Sequence, residues 1–320
     1  GDTYQVNYTF RLRAPLGEDP LRLYAGLARA QQAPFAAYLD GGDHAILSAS
    51  PELFFRLKDG VLEARPMKGT RERGRWVAED QAMADGLTSS LKERAENVMI
   101  TDMLRNDLGR VSTSGSVVVP SLFQAERYPT LWQLTSTVQS ELEAGVNLTQ
   151  LFAALFPCAS VTGAPKVRTM EIIRNLEARP RGIYTGSIGY VSPGLEACFN
   201  VAIRTAHLNR SDGWLEYGVG GGITWDSSAD SEYGECLVKA RVLSQPRPEF
   251  KLLETLLWKE GAYYLLDRHV ERVVQSAEYW GYVCDREGLV CQLEDLSKSF
   301  EENKMRVRIA LSEDGEVDAE

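Results

Sequence analysis

An α+β fold of layered sheets, not a parallel βαβ repeat, is what this sequence predicts. Three observations lead there: short alternating segments arrive in runs, turn signals separate them, and long helical stretches lie between the runs. With 320 residues, 44% of them hydrophobic and 25% charged, the chain is long enough for one large domain or two.

The strand candidates, in order, are "YQVNYTFRLR", "HAILSASPELFFRL", "GVLEARPM", "GSIGYVSPG", "ACFNVAIRTAHL" and "WLEYGVGGGITWD". Each alternates apolar with polar residues, or carries an apolar run bounded by Gly, Pro or Asp. Residues 77–107 hold apolar positions at helical spacing and read as one helical stretch; 147–156, 165–177 and 230–243 read as shorter helices. "SQPRPEF" at 244–250, with its two prolines, marks a linker over 244–249. Beyond it, a strand, a turn at Glu260-Gly261, a second strand and an amphipathic helix are expected, with a closing hairpin in "IALSEDGEVDAE". The expected domains are therefore 1–243 and 250–320. Because the chain opens in a strand without an initiator Met, it reads as part of a longer protein.

Charge and cysteine usage narrow the function classes. A formal net charge of −10 argues against nucleic acid as a partner. No apolar run approaches the roughly 20 residues of a membrane helix. The five cysteines (158, 198, 236, 284, 291) lack C-x-x-C spacing, which fits reduced thiols in a cytoplasm better than disulfides or zinc.

Several stretches carry possible chemistry. In "EARPMKGTRERG", Lys68 lies between Pro66-Met67 and Gly69-Thr70, with Arg65, Arg71 and Arg73 close by. A turn at a strand end with a solvated charge is the plain reading. The sharper one is a nucleophilic amine whose pKa neighbouring cations lower. Glu93/Glu96 and Glu232/Glu235 are two pairs at i,i+3 spacing, each on one helix face. They are either solvated faces or, together, an oxygen cage for Mg²⁺. The glycines at 218 and 220–222 fit no dinucleotide or Walker pattern. They leave either a tight bend or a bare backbone whose N–H groups reach a carboxylate. Pro165 suits the first position of a helix whose N-terminus could accept an anion. Arg204, set among apolar residues of a strand, needs a carboxylate from the protein or a ligand.

Taken in order, "GDTYQVN", "SPELFFR", "RPMKGTRERG", "ERAENVMITDMLRNDLGRV", "SVTGAPKVRTMEII", "GSIGYV" and "GGGITWDSSADSEYGECLVKAR" resemble the motifs of chorismate-utilising enzymes. That family includes the anthranilate, aminodeoxychorismate, isochorismate and salicylate synthases. The resemblance covers residues 1 to about 243 and implies layered antiparallel sheets with helices outside. It also implies roles. Lys68 stands where anthranilate synthases have alanine, and Gln5 where isochorismate and salicylate synthases have a water-activating lysine; the pair is the aminodeoxychorismate pattern. Lys68 would be the nucleophile and Glu52 the general acid. Glu96 and Glu235, supported by Glu93 and Glu232, would hold Mg²⁺. Tyr190 and Arg204 would hold the enolpyruvyl carboxylate, Gly220 and Gly222 would supply N–H groups, and Lys239, Gln5, Thr70, Gln133 and Ser160 would line the substrate. Many relatives have histidine where Gln133 stands, and glutamine shuttles no proton at neutral pH.

Residues 250–320, through "LLETLLWKEGAYYLLDRHVERV" and "MRVRIALSEDGE", resemble the start of aminodeoxychorismate lyase, a class IV aminotransferase-like pyridoxal phosphate enzyme. Arg272 matches its cofactor-phosphate position, and the Schiff-base lysine of that family lies further downstream. The implied activity is amination of chorismate with ammonia from a glutamine amidotransferase subunit. Anthranilate synthase component I is the alternative within the family, and a non-catalytic chorismate-binding module the alternative outside it.

Overall fold

The computed structural model describes residues 1–17, 19–129, 131–243 and 250–320. The expected linker at 244–249 lies outside the described residues. In chain order the first elements are β1 (Gln5–Pro15), α1 (Pro20–Gln31), β2 (Phe35–Asp40), β3 (His44–Ser50), β4 (Leu53–Lys58), β5 (Val61–Arg65) and β6 (Met67–Glu72). Then come α2 (Val77–Ser89), α3 (Leu91–Gly109), β7 (Val118–Arg127), β8 (Leu131–Glu141), α4 (Leu148–Leu155), β9 (Gly163–Ala164) and α5 (Lys166–Leu176). The next are β10 (Ser187–Ser192), β11 (Glu196–Val201), β12 (Thr205–Asn209), β13 (Trp214–Ile223) and α6 (Ala229–Ala240). The last are β14 (Leu252–Lys259), β15 (Ala262–Tyr263), α7 (Leu266–Trp280), α8 (Arg286–Ser297), β16 (Lys304–Leu311) and β17 (Val317–Ala319).

Two compact units result, Gly1–Arg73 with Met83–Arg247, and Gly74–Ala82 with Pro248–Glu320. The first holds a six-stranded sheet, β2-β3-β12-β13-β1-β9, and a seven-stranded one, β10-β11-β4-β5-β8-β6 with β7 also on β8. Every pairing in them is antiparallel. Phe54, Phe55, Ile100, Leu104 and Leu151 form a core joining the larger sheet to α3 and α4. Leu27, Leu47, Tyr217 and Val219 join the smaller sheet to α1.

Two segments expected as single strands each cross between sheets. "HAILSASPELFFRL" breaks at Pro51-Glu52, with β3 in the smaller sheet and β4 in the larger. "ACFNVAIRTAHL" breaks at 202–204, with β11 in the larger sheet and β12 in the smaller. The crossings run side by side: Val201 N–H donates to Glu52 C=O (3.1 Å) and Ala49 N–H to Arg204 C=O (3.0 Å). Arg204 is thus not inside a strand but at a break, at φ +51°. The stretch 77–107 is likewise two helices, because the Ser90 side chain accepts from Glu93 N–H (3.4 Å) and caps a new start.

The second unit folds β15-β14-β16-β17 into an antiparallel sheet. Leu256, Val307 and Ile309 pack there against Val270, Val273 and Ala277 of α7 and Leu289 and Leu293 of α8. Among the described residues no helix is long and apolar enough to cross a membrane. All five cysteines are unpaired.

Candidate active site

A β-bulge answers the question Lys68 raises. Across β6 and β8, Met67 pairs with Thr135 and Thr70 with Gln133, so Lys68 and Gly69 together oppose Leu134 alone. An extra residue re-aims the side chain beside it. Gly69 has φ +98°, and a Cβ there would lie 2.9 Å from Glu93 Oε2 and 3.1 Å from Leu134 Cβ; only glycine fits. Asn97 of α3 locks the bulge, its Nδ2 donating to Leu134 C=O (3.1 Å) and its Oδ1 accepting from Ser136 (2.5 Å).

Lys68 points into a cavity of about 200 Å³ in the first unit, whose lining also includes Glu52, Ser160 and Arg204. Glu52 is 3% exposed, and its Oε1 has no hydrogen-bond partner. Burial raises its pKa from an ordinary 4.5 to about 7, against the smaller pull of the Ser160 hydroxyl, the Lys68 charge and the Met67 backbone. Burial lowers the Lys68 pKa, and Lys239 adds to that, while Glu96, Glu52 and Glu235 oppose. The expected role of Arg65, Arg71 and Arg73 in this shift is corrected. Arg65 pairs with Glu126, Arg73 lies over Trp132 and donates to Tyr128 C=O, and the Arg71 charge bears on Glu93.

Both glutamate pairs reach the same cavity, Glu93 and Glu96 from α3, Glu232 and Glu235 from α6. Burial and the neighbouring Glu96 and Glu235 raise the Glu93 pKa. Burial also acts on Glu235, but the Lys239 ammonium at 2.6 Å outweighs it and lowers that pKa. Gln5 Nε2 donates to Glu96 (3.3 Å) and Ser227 to Glu232 (2.7 Å). The four do not close into the expected cage: no three acidic, histidine or cysteine groups among the described residues converge as a metal-holding cluster.

The glycines of β13 leave a bare strand edge beside these groups. β12 pairs only with Trp214–Tyr217, whereas β1 continues along Gly218–Ile223. Gly220 C=O accepts from Lys239 Nζ (3.0 Å). In an antiparallel strand a residue's N–H and C=O point the same way, so the N–H groups of Gly220 and Gly222 face the edge that β12 leaves open. A Cβ on Gly222 would lie 2.1 Å from Gln5 Nε2 and 3.1 Å from Lys68 Nζ.

Known proteins share this arrangement of sheets and motifs. A model of chorismate binding enzyme matches residues 1–245. The chain belongs to the chorismate binding enzyme family. The match takes in every residue that lines the cavity. Over 246 residues the chain is 44% identical to aminodeoxychorismate synthase component 1 of Salmonella typhimurium, covering 77% of this chain and 54% of that protein. Over 242 residues it is 45% identical to aminodeoxychorismate synthase of Streptomyces pristinaespiralis, covering 75% of this chain and 33% of that one. The crystal structure of anthranilate synthase component I from Streptococcus pneumoniae superposes with a TM-score of 0.70 at 33% identity, covering 76% of this chain and 54% of that one. The chain thus spans about half or less of the length of these relatives.

The cavity of this chorismate binding enzyme gathers Glu52, Lys68, Thr70, Glu93, Glu96, Gln133, Ser160, Arg204, Gly220, Gly222, Glu232, Glu235 and Lys239. Gln5 sits behind it, buried. Gln133 Nε2 donates to Thr70 Oγ1 (2.9 Å), so this pair closes on itself. Tyr190 is not in the cavity: it is 64% exposed on β10, and Tyr184, six residues earlier, lines the site instead. The resemblance pointed to Tyr190 on the strand, whereas Tyr184 precedes the strand in "RGIYTG". A Cβ on Gly218 would lie 2.1 Å from the Tyr184 ring, a close approach the glycine run could have signalled. Pro165 is the N-cap of α5 and not its first residue, and no residue of that helix lines the cavity. Arg204 has no carboxylate partner among the described residues and donates to Lys239 C=O (3.2 Å). Arg272, in the second unit, holds Glu254 through Nε (2.6 Å) and Nη2 (2.5 Å).

Proposed function

We propose that this chain aminates chorismate at C4, giving 4-amino-4-deoxychorismate with ammonia supplied by a glutamine amidotransferase partner. The observation that carries the reading is the pairing of Lys68 and Glu52 in one cavity, with burial favouring the uncharged form of each. Titratable groups pushed toward opposite roles identify a nucleophile and an acid. Lys68 Nζ adds at C2, both ring double bonds shift (C1=C2 to C1=C6 and C5=C6 to C4=C5), and the C4 hydroxyl leaves as water with the proton of Glu52. Ammonia then adds at C4, both double bonds shift back, and the Lys68 amine is released. Arg204, the N–H groups of Gly220 and Gly222, and Tyr184 in place of Tyr190 would hold carboxylate oxygens.

Magnesium fits the donor set. Mg²⁺ takes one or two protein carboxylates and completes its shell with substrate oxygens and water, so it does not need a closed cage. Repulsion among Glu93, Glu96 and Glu235 is what a cation offsets. Glu96 and Glu235, with Glu93 and Glu232 behind them, would hold it, and it would polarise the ring carboxylate. The likeness to aminodeoxychorismate synthases supports a role toward p-aminobenzoate and folate, and the unpaired thiols suit a cytoplasm. Residues 250–320 we read as a lyase-like segment. They do not by themselves fit pyridoxal phosphate, since two donor positions of Arg272 are taken by Glu254, and no step through that cofactor follows.

Chorismate and Mg²⁺ without ammonia should leave an adduct of chorismate less one water on the peptide containing "PMKGT". Lys68→Ala should form none. An adduct on Lys239 or Lys92, or full activity in Lys68→Ala, would overturn the assignment.

A further inference from the structure

One polar group in the cavity has no role in the chemistry above. Tyr217 is the last β13 residue that pairs with β12, and its ring packs in the core with Leu47, Ala206 and Val219. It is 1% exposed, yet it lines the cavity and its hydroxyl makes no hydrogen bond. A buried phenol without a partner is costly, and buried tyrosines ordinarily find one. The neighbour it faces is Arg204, whose guanidinium can only donate toward the phenol oxygen and so leaves the hydroxyl proton without an acceptor; Arg204 has no carboxylate beside it and is held at a left-handed backbone. A non-glycine residue kept at such a φ is strained, and such strain clusters at ligand clamps.

A hydroxyl donor and an arginine side by side, both short of an acceptor, are complementary to one carboxylate. Arg204 is anchored from behind by its bond to Lys239 C=O, and Lys239 is itself anchored on Gly220 C=O (3.0 Å) and Glu235 (2.6 Å). The clamp is therefore fixed before the ligand arrives. We infer that the Tyr217 hydroxyl donates to the ligand carboxylate that Arg204 binds, making Tyr217 a specificity residue for the enolpyruvyl carboxylate. This rests on the chorismate reading above. A site built to hydrogen-bond a substrate group discriminates strongly against analogues that lack it.

Tyr217→Phe in the full chain tests the inference. An unsatisfied hydroxyl contributes nothing to the ligand-free fold, so the variant should keep or raise the wild-type Tm. KM and Kd for chorismate should rise about tenfold, the size of a hydrogen bond to a charged group, with kcat within about twofold. Binding of 4-hydroxybenzoate, a ring acid without the enolpyruvyl arm, should not change. Wild-type chorismate affinity in Tyr217→Phe, an equal loss for both ligands, or a loss of Tm together with affinity would each overturn the inference. Failure of the wild-type protein to turn over chorismate would instead sink the functional reading.

Discussion

Glu52 and Glu254 are both buried glutamates, 3% and 7% exposed, and their environments drive them in opposite directions. Glu52 sits at a crossing between sheets with one oxygen unpartnered, and burial raises its pKa to about 7. Burial acts on Glu254 of β14 as well, but Arg272 and His269 on α7 bond its oxygens at 2.5 to 2.9 Å and lower its pKa. Their exposure is nearly the same, but Glu52 lies deeper and has no charged bonding partner, so depth and partners together decide. The first unit holds a carboxyl ready to give up a proton, and the second uses a carboxylate to bind a helix to a sheet.

The largest effect that could break this contrast is on catalysis. Glu52→Gln keeps the shape and removes the acid, so turnover of chorismate should fall by a factor of about 10² to 10⁴, with thermal stability equal to or above wild type. A variant that loses stability and keeps turnover would make Glu52 a structural residue. Next in size is the pH response. Between about pH 4.5 and 7 folded Glu52 keeps a proton the unfolded chain has lost, so its contribution is full below that window and lost as pH rises through it. At about 1.4 kcal/mol per unit the loss is at most about 3 kcal/mol, read as the difference in urea unfolding between wild type and Glu52→Gln. Glu254 has the opposite sign: its contribution is present above its unfolded pKa and is lost as pH falls through the lowered folded value. The same slope in Glu52→Gln as in wild type would contradict the raised pKa. The smallest effect is Glu254→Gln. Removing the charge weakens two bonds from Arg272, but that side chain is 63% exposed and solvent screens it. The loss should be about 1 to 2 kcal/mol, seen as a lower urea midpoint at unchanged m-value, with chorismate turnover intact.

The contrast also shows what the sequence could convey. Glu93, Glu96, Glu232 and Glu235 were legible because helical spacing alone fixes which face a residue takes, and each pair has that spacing. The sheet crossings at Glu52 and Arg204 were not, because a strand that changes sheets keeps its alternation and leaves no local signal. The two-helix break at Ser90 was visible as Ser-Leu-Lys-Glu, a capping pattern obscured by apolar periodicity on both sides. Arg204 and Lys68 looked alike as isolated cations, yet one is clamped on a backbone carbonyl and the other lifted by a bulge. Asn97 carries no signal in "ERAENV" because a helix interior disguises a polar residue whose partners, Leu134 and Ser136, lie far along the chain. Tyr190 and Tyr184 differ by six positions, and only the close packing of Gly218 on the Tyr184 ring separates them. The bond from Arg272 to Glu254 was equally hidden, since its partner lies eighteen residues away on another element.

The bare edge of β13 beyond Tyr217 has a consequence of its own. On a protein surface, a strand edge of unpaired N–H and C=O groups invites another chain to pair with it. Here the edge is turned toward the cavity, beside Glu232, Glu235 and Lys239. A carboxylate bound as proposed would complete the ladder as a missing neighbour strand completes it, so the backbone that most proteins must hide would serve as a template for a ligand.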